Sequence, residues 1–264
     1  MKRNNYFWAL VLILGGSLLL LSNLDIITIN VWGLLWPMCL ILAGVWFLLG
    51  SRFGYPSAEV EEVTIPLEGA ARARVHINHG AGRLHMDDNA GAGELVAGTF
   101  GGGLNYRTRL DGDILDVKLK PGLAGVPFIE WRPGSGLHWD MGLNSEIPLE
   151  LELETGAGEL RLDLTNLQVV DLHLKTGASS STVMMPSNAG HTHTHIEAGV
   201  AAVTVHIPSG VAARIHTDSG LAAIDIDQNR FPRQGKVYQS PDYETASNKI
   251  ELDIDTGVSS VNVR

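Results

Sequence analysis

Five glycines, Gly156, Gly177, Gly199, Gly220 and Gly257, each close a short run in which apolar and polar residues alternate. The intervals between them are 21, 22, 21 and 37 residues. The last interval is one ordinary repeat plus an insertion of about sixteen residues around NRFPRQGKVYQSPDYE. Gly80, in VHINHGAGRLHM, opens an earlier copy. A fixed period near twenty residues, built from short strands, is the mark of a repeat architecture in which each unit must stack on its neighbours to bury its apolar edge.

The register within the repeat is strict. Five residues before each glycine stand Val75, Leu151, Leu172, Thr194, Ile215 and Leu252, and three before stand Ile77, Leu153, Leu174, Ile196, Thr217 and Ile254. Four and six residues after it stand Leu84/Met86, Leu160/Leu162, Ser181/Val183, Val203/Val205, Ile224/Ile226 and Val261/Val263. Positions of this period-2 kind face one side of a strand and point into a core. The residues between them are charged or polar and face water. A glycine is needed where the chain bends between the two short strands and brings backbones together. The sequence therefore predicts an all-β domain, a single-stranded right-handed β-solenoid of about 21-residue repeats stacked in sequence order over residues 67–264. Two insertions interrupt it, at about 100–148 and 228–248. The first holds LNYRTRLDGDILDVKLKP, a hairpin around Asp111-Gly112. It continues into a Gly/Pro-rich stretch with Trp131 and Trp139, expected as a loop or extra hairpin over one face of the stack.

The first fifty residues read differently. Tyr6–Leu21 and Val31–Gly50 are apolar runs, and a helix needs roughly 20 such residues to cross a bilayer. They predict a transmembrane hairpin over residues 1–52, with helices at about 6–24 and 31–50, followed by a linker at 53–66. A signal peptide is the competing reading of Lys2 and Arg3 before an apolar core. It is disfavoured by the absence of a small-x-small cleavage site and by the second run that follows at once. Trp32, Trp36, Trp46, Tyr6 and Trp8 suit the headgroup zones, and Pro37 falls in the first turns of the second helix. Lys2, Arg3 and Arg52 flank the hairpin, whereas Ser22–Asn30 holds no Lys or Arg. The positive-inside rule then predicts a two-pass protein of the cell membrane with its β-domain on the cytoplasmic side.

Charge narrows the partners. Residues 1–52 carry three basic groups and Asp25, a net +2, and the remaining 16 basic and 28 acidic groups give residues 53–264 a net −12. An acidic domain is a poor partner for a phosphate backbone, so nucleic-acid binding is not expected. Cys39 is the single cysteine, which excludes an internal disulfide framework.

The stretch GGSLLLLSNLDIITINVWGLLWPMCLILAGVWFLLG resembles the transmembrane region shared by LiaI- and LiaF-type bacterial envelope-stress proteins. The repeats TGAGELRLDLTNL…LHLKTGASSSTVMMP are similar to the C-terminal β-domain of such proteins, of the toast-rack or DUF4097-type fold. The resemblance implies a non-enzymatic membrane sensor or regulator that restrains a membrane sensor kinase, and it brings no catalytic residues with it. The alternative is an adhesin-like or scaffolding solenoid that acts by self-assembly or by holding a surface polymer; a homo-oligomer is compatible with either.

Motifs for chemistry are few. GAGELVAG and HGAGRL lack the third glycine of a dinucleotide loop and are followed by strand rather than helix, so no phosphate cradle forms. Ser135, His138 and Asp140 are close in sequence, unlike a triad assembled from separate loops. Asp163, Asp225, Asp227, Asp253 and Asp255 read as a solvated strand face. Neither a catalytic residue nor a cofactor is expected. Histidines are the exception to this blandness. Four residues before the glycine stand His76, Glu152, His173, His195, His216 and Asp253. Stacking in sequence order puts His173, His195 and His216 on three successive rungs, with His191 and His193 on the same face. No metal site is assigned. A solvated polar face is the plain reading of this ladder; a pH-responsive row and a Zn²⁺ or Ni²⁺ site are the sharper ones. Glu197 and Asp218 are neighbours that could stabilise imidazolium charge.

Overall fold

In the computed structural model the described residues are 60–122 and 137–264. The expected transmembrane hairpin, Trp131 and the Gly/Pro-rich stretch before residue 137 lie outside them. The domain is all-β. Its strands are β1 (Val60–Pro66), β2 (Arg72–Asp87), β3 (Glu94–Gly101), β4 (Leu104–Asp111), β5 (Ile114–Pro121), β6 (Leu137–Leu143) and β7 (Pro148–Asp163). They continue as β8 (Gln168–Met184), β9 (His191–His206), β10 (Ala212–Ile226), β11 (Arg233–Gln234), β12 (Val237–Gln239) and β13 (Lys249–Val263).

Each repeat is one long strand that runs through its glycine. Strands β2, β7, β8, β9, β13 and β10 lie side by side, all parallel, in that order. The register is the one the sequence predicts: Val75, Leu151, Leu172, Thr194, Leu252 and Ile215 form one inward row. Leu151, Leu153, Leu172, Leu174, Ile196, Leu252 and Ile254 are buried, as are Leu160, Leu162, Val183, Val203, Val205, Val261 and Val263. The glycines stack on one another at the bend. A Cβ on Gly177 would lie 2.5 Å from the carbonyl oxygen of Gly156, and one on Gly257 would lie 2.9 Å from that of Gly199. Both distances are below van der Waals contact with a backbone atom that cannot turn aside, so glycine is required there.

Three features depart from the simple stack. The final strand does not follow β10: β13 inserts between β9 and β10, pairing with both over their full lengths. The physical reason lies in the apolar positions. Strand β13 offers Ile250, Leu252, Ile254, Val261 and Val263, all buried, and suits an interior place. Strand β10 offers Thr217 and a half-exposed Ile224 at the equivalent positions and suits an edge. The insertion before β13 supplies the chain length for the crossover and caps that edge. Its short β12 pairs with Arg214–His216, and Phe231 and Tyr243 bury against the end of the stack. Ser240 locks the cap, its amide donating to the Ala213 carbonyl at 2.8 Å and its Oγ accepting from the Ala213 amide at 2.9 Å.

The second departure is at the other end. Strand β2 has two different neighbours beside β7: β5 along Arg72–Ile77 and β6 along Gly82–Asp87. Together they make one split rung. The segment expected to cover a face of the stack therefore joins the sheet itself. The β4–β5 hairpin turns at Asp111-Gly112, as the sequence predicts, and Trp139 on β6 is buried. The third departure is β1. Residues 60–66, expected as linker, form a strand antiparallel to β3, which in turn pairs with β6. Val63 and Ile65 are buried there, an alternation too short to stand out beside the repeats.

Candidate functional site

Strand β9 is the centre of the polar face. Thr192, Thr194 and Ile196 turn inward and are buried, so His191, His193, His195 and Glu197 share the outer side. In-register pairing brings Asp171, His173 and Lys175 of β8 to one flank. Lys249, Glu251, Asp253 and Asp255 of β13 stand on the other. This face runs to the bend, where an open groove of about 910 Å³ is lined by Glu154, Lys175, Glu197, Asp218 and Asp255 beside the stacked glycines. Four carboxylates against one ammonium make the groove acidic.

The five candidate histidines do not form one ladder. The insertion of β13 puts Asp253, rather than His216, beside His195, and His216 lies beyond Asp253 on β10. The expected row of His173, His195 and His216 on successive rungs is thereby corrected; its order is His76, Glu152, His173, His195, Asp253, His216. The other four histidines sort into two groups, each closed by a glutamate.

In the first group, the rings of His191 and His193 are 4.2 Å apart and tilted by 40°. His193 Nδ1 is 3.3 Å and His191 Nε2 4.0 Å from Glu251 Oε2. Partial burial holds the His191 imidazole below its ordinary pKa, with charge on His193 and Lys249 acting in the same direction. In the second group, His173 of β8 and His195 of β9 stand 5.0 Å apart across the strands at 43°. Both Nε2 atoms are 3.4 Å from the same oxygen, Glu197 Oε1. The other oxygen, Oε2, accepts from Lys175 Nζ at 3.0 Å. That hydrogen bond and the lysine charge lower the Glu197 pKa and raise that of Lys175, so the carboxylate is ionised. Asp255 Oδ2 lies 3.7 Å from His195 Nε2. Among the described residues, these are the two groups whose three ligand atoms fall within 4.8 Å of one another.

Sequence reasoning found the five histidines and named Glu197 as a neighbour, but missed Glu251 and Asp255 as partners. Their strand was placed one rung too far away. The signal was present in the richer apolar alternation of Ile250–Val263 compared with Ala212–Ile226. His76, at the same register on β2, is bracketed by carboxylates, with Nδ1 2.5 Å from Glu152 Oε2 and Nε2 3.4 Å from Asp116 Oδ2.

Comparison with known proteins places this geometry. Residues 55–206 match the family described as the N-terminal domain of toast_rack, DUF2154. Residues 6–59 match the LiaI-LiaF-like transmembrane region. A solved structure of a proposed cell adhesion protein from Clostridium sporogenes superposes with a TM-score of 0.69 at 24% identity, covering 78% of this chain and 98% of that one. At that identity the likeness speaks for the fold alone. A proposed adhesin from Bacteroides fragilis covers 80% of this chain and 100% of its own, at 8% identity and a TM-score of 0.28, too distant to carry an argument. No curated protein matches. The parallel rungs, the stacked glycines and these two matches together assign the chain to the toast_rack (DUF2154) family, in a membrane-anchored form bearing a LiaI-LiaF-like transmembrane region.

Proposed function

We propose that this protein is a non-enzymatic regulator of envelope-stress signalling, anchored by a two-pass hairpin, that acts on a partner membrane kinase. The observation that carries the reading is the union, on one chain, of a LiaI-LiaF-like transmembrane region with a toast_rack domain that begins where it ends. The domain itself supports a binding role over a catalytic one. Its outer face carries an open acidic groove and paired imidazoles, groups that can hold a ligand. Small residues in the apolar runs, Gly15, Gly16, Ser17, Gly33, Ala43 and Gly44, offer surfaces on which another transmembrane helix can pack.

The test is transcriptional. Deleting the gene should change expression of envelope-stress genes under cell-wall antibiotics, and the intact gene should restore it. Crosslinking in membranes should recover a histidine kinase. Unchanged transcription would overturn the reading.

A second reading, a scaffold that self-assembles, is favoured by a specific surface. Val200, Val258 and Leu221 fall in one row across β9, β13 and β10 at the bend, and are 64%, 54% and 79% exposed. The outer edge of β10 beyond His216 pairs with no strand among the described residues. Such an edge is a template for another chain. Under this reading the protein in detergent sediments as an oligomer that Leu221→Glu dissociates.

A further inference from the structure

We propose that His173, His195 and Glu197 form a site for a divalent transition-metal ion of the Zn²⁺ class, clipping β8 to β9 on the outer face of the sheet.

The three ligand atoms are spaced as the first ligands of a coordination shell would be. Four ligands at the ordinary Zn–N and Zn–O lengths of about 2.0–2.1 Å, arranged as a tetrahedron, lie about 3.3–3.4 Å from one another. The two edges from Glu197 Oε1 to the His173 and His195 Nε2 atoms are each 3.4 Å. A charged N–H···O bond is shorter, about 2.7–2.9 Å. The imidazoles thus approach the carboxylate from two strands with the same nitrogen and stop at the ligand–ligand distance. The three ligand atoms all fall within 4.8 Å of one another. Imidazole and carboxylate together suit Zn²⁺.

The surroundings are built for such an ion. Lys175 engages the second oxygen of Glu197 at 3.0 Å, an arrangement that leaves Oε1 turned to the imidazoles. Asp255, with Oδ2 3.7 Å from His195 Nε2, stands ready as a fourth ligand, the second through oxygen, or to orient a bound water. Glu152 and Asp253 flank the pair in the same row, so carboxylates outnumber the one lysine around the ion. The ligands sit on rigid strands in register, and none is needed for the core; all three side chains are about a third exposed, open to an entering ion. The proposal is independent of the regulatory reading above.

The full-length chain, purified in detergent without a polyhistidine tag, is titrated with Zn²⁺ by calorimetry and with Co²⁺ by visible absorption. One saturable Zn²⁺ equivalent is expected, with Co²⁺ giving the intense d–d bands of a tetrahedral site and Zn²⁺ raising the melting temperature. His173→Asn and His195→Asn should each weaken that equivalent at least tenfold and abolish the Co²⁺ bands. His193→Asn and His216→Asn should leave both within twofold. Melting curves without metal show that the surface variants fold, and Glu197→Gln gives a second check that keeps shape. Absence of saturable binding, survival of the bands in His173→Asn and His195→Asn, or their loss in His193→Asn would each overturn the proposal.

Discussion

His79 shows what the interior of this domain does to a single titratable side chain. It is 2% exposed, and its ring meets Trp139 edge-on at 5.0 Å and 70°; Trp139 in turn meets Phe100 at 5.2 Å and 81°. Burial pushes its pKa down to about 4; a hydrogen bond with the Leu137 backbone opposes this, and charge on His138 reinforces it. The folded pKa lies below the unfolded value of about 6.5, so the unfolded chain takes up the proton first. The neutral imidazole contributes its full share above pH ~6.5, and that share is lost as pH falls toward 4, a difference on the order of 3 kcal/mol. Melting temperatures between pH 7.5 and 4.5 should therefore fall more steeply for the natural chain than for His79→Phe, which keeps an aromatic ring against Trp139. Parallel pH profiles would contradict this. His79 was legible in principle: it shares parity with Val75 and Ile77, and only its polar label hid it. At Gly158 the backbone has φ +142°, and an added Cβ would lie 1.8 Å from the Gly82 carbonyl oxygen. Gly158→Ala should thus cost about 3 kcal/mol or more, read from chemical denaturation.

Among elements, the rung is the unit of both stability and error. Leu174 is fully buried between Leu153 and Ile196, and Leu174→Ala should cost roughly 2–5 kcal/mol by the same measurement. The order of the rungs is testable by crosslinking. Thr204 and Asn262 are paired residues of β9 and β13, so Thr204→Cys with Asn262→Cys should oxidise to a disulfide seen as a gel shift. Thr204→Cys with Asp225→Cys should not, because β13 separates those strands. Sequence periodicity foretold the strands, their inward residues and their glycines, since alternation reports which side of a strand meets the core. It does not report which strand is the neighbour. Identical registers make any rung compatible with any other, and the choice between β10 and β13 beside β9 turns on small differences such as Thr217 against Ile254. The split rung of β5 and β6 was hidden for a related reason: each half carries only part of the repeat.

For the whole molecule, charge is the governing quantity. The net −12 of residues 53–264 should keep the domain off anionic headgroups, whereas the +2 of residues 1–52 is gathered at the flanks of the apolar runs. The positive-inside rule predicts an inactive C-terminal alkaline phosphatase fusion and a bright fluorescent-protein fusion; the reverse pattern would mean that another force overrides that rule. The acidic groove at the bend makes the same charge locally directional, since its one lysine is already paired with Glu197.

The place of β13 also has a consequence in time. During synthesis β10 leaves the ribosome before the strand that must separate it from β9, because residues 227–248 come between them. A nascent chain that has reached β10 holds two compatible rungs and no spacer, and their direct pairing would cover the edge of β9 that β13 covers in the folded domain. The final arrangement then requires that pairing to be avoided or undone before β13 can enter, a non-local step of the slow kind. Refolding of the domain should therefore show a late phase that reports on the burial of Phe231 and Tyr243, while the rungs from β7 to β9 are already in place.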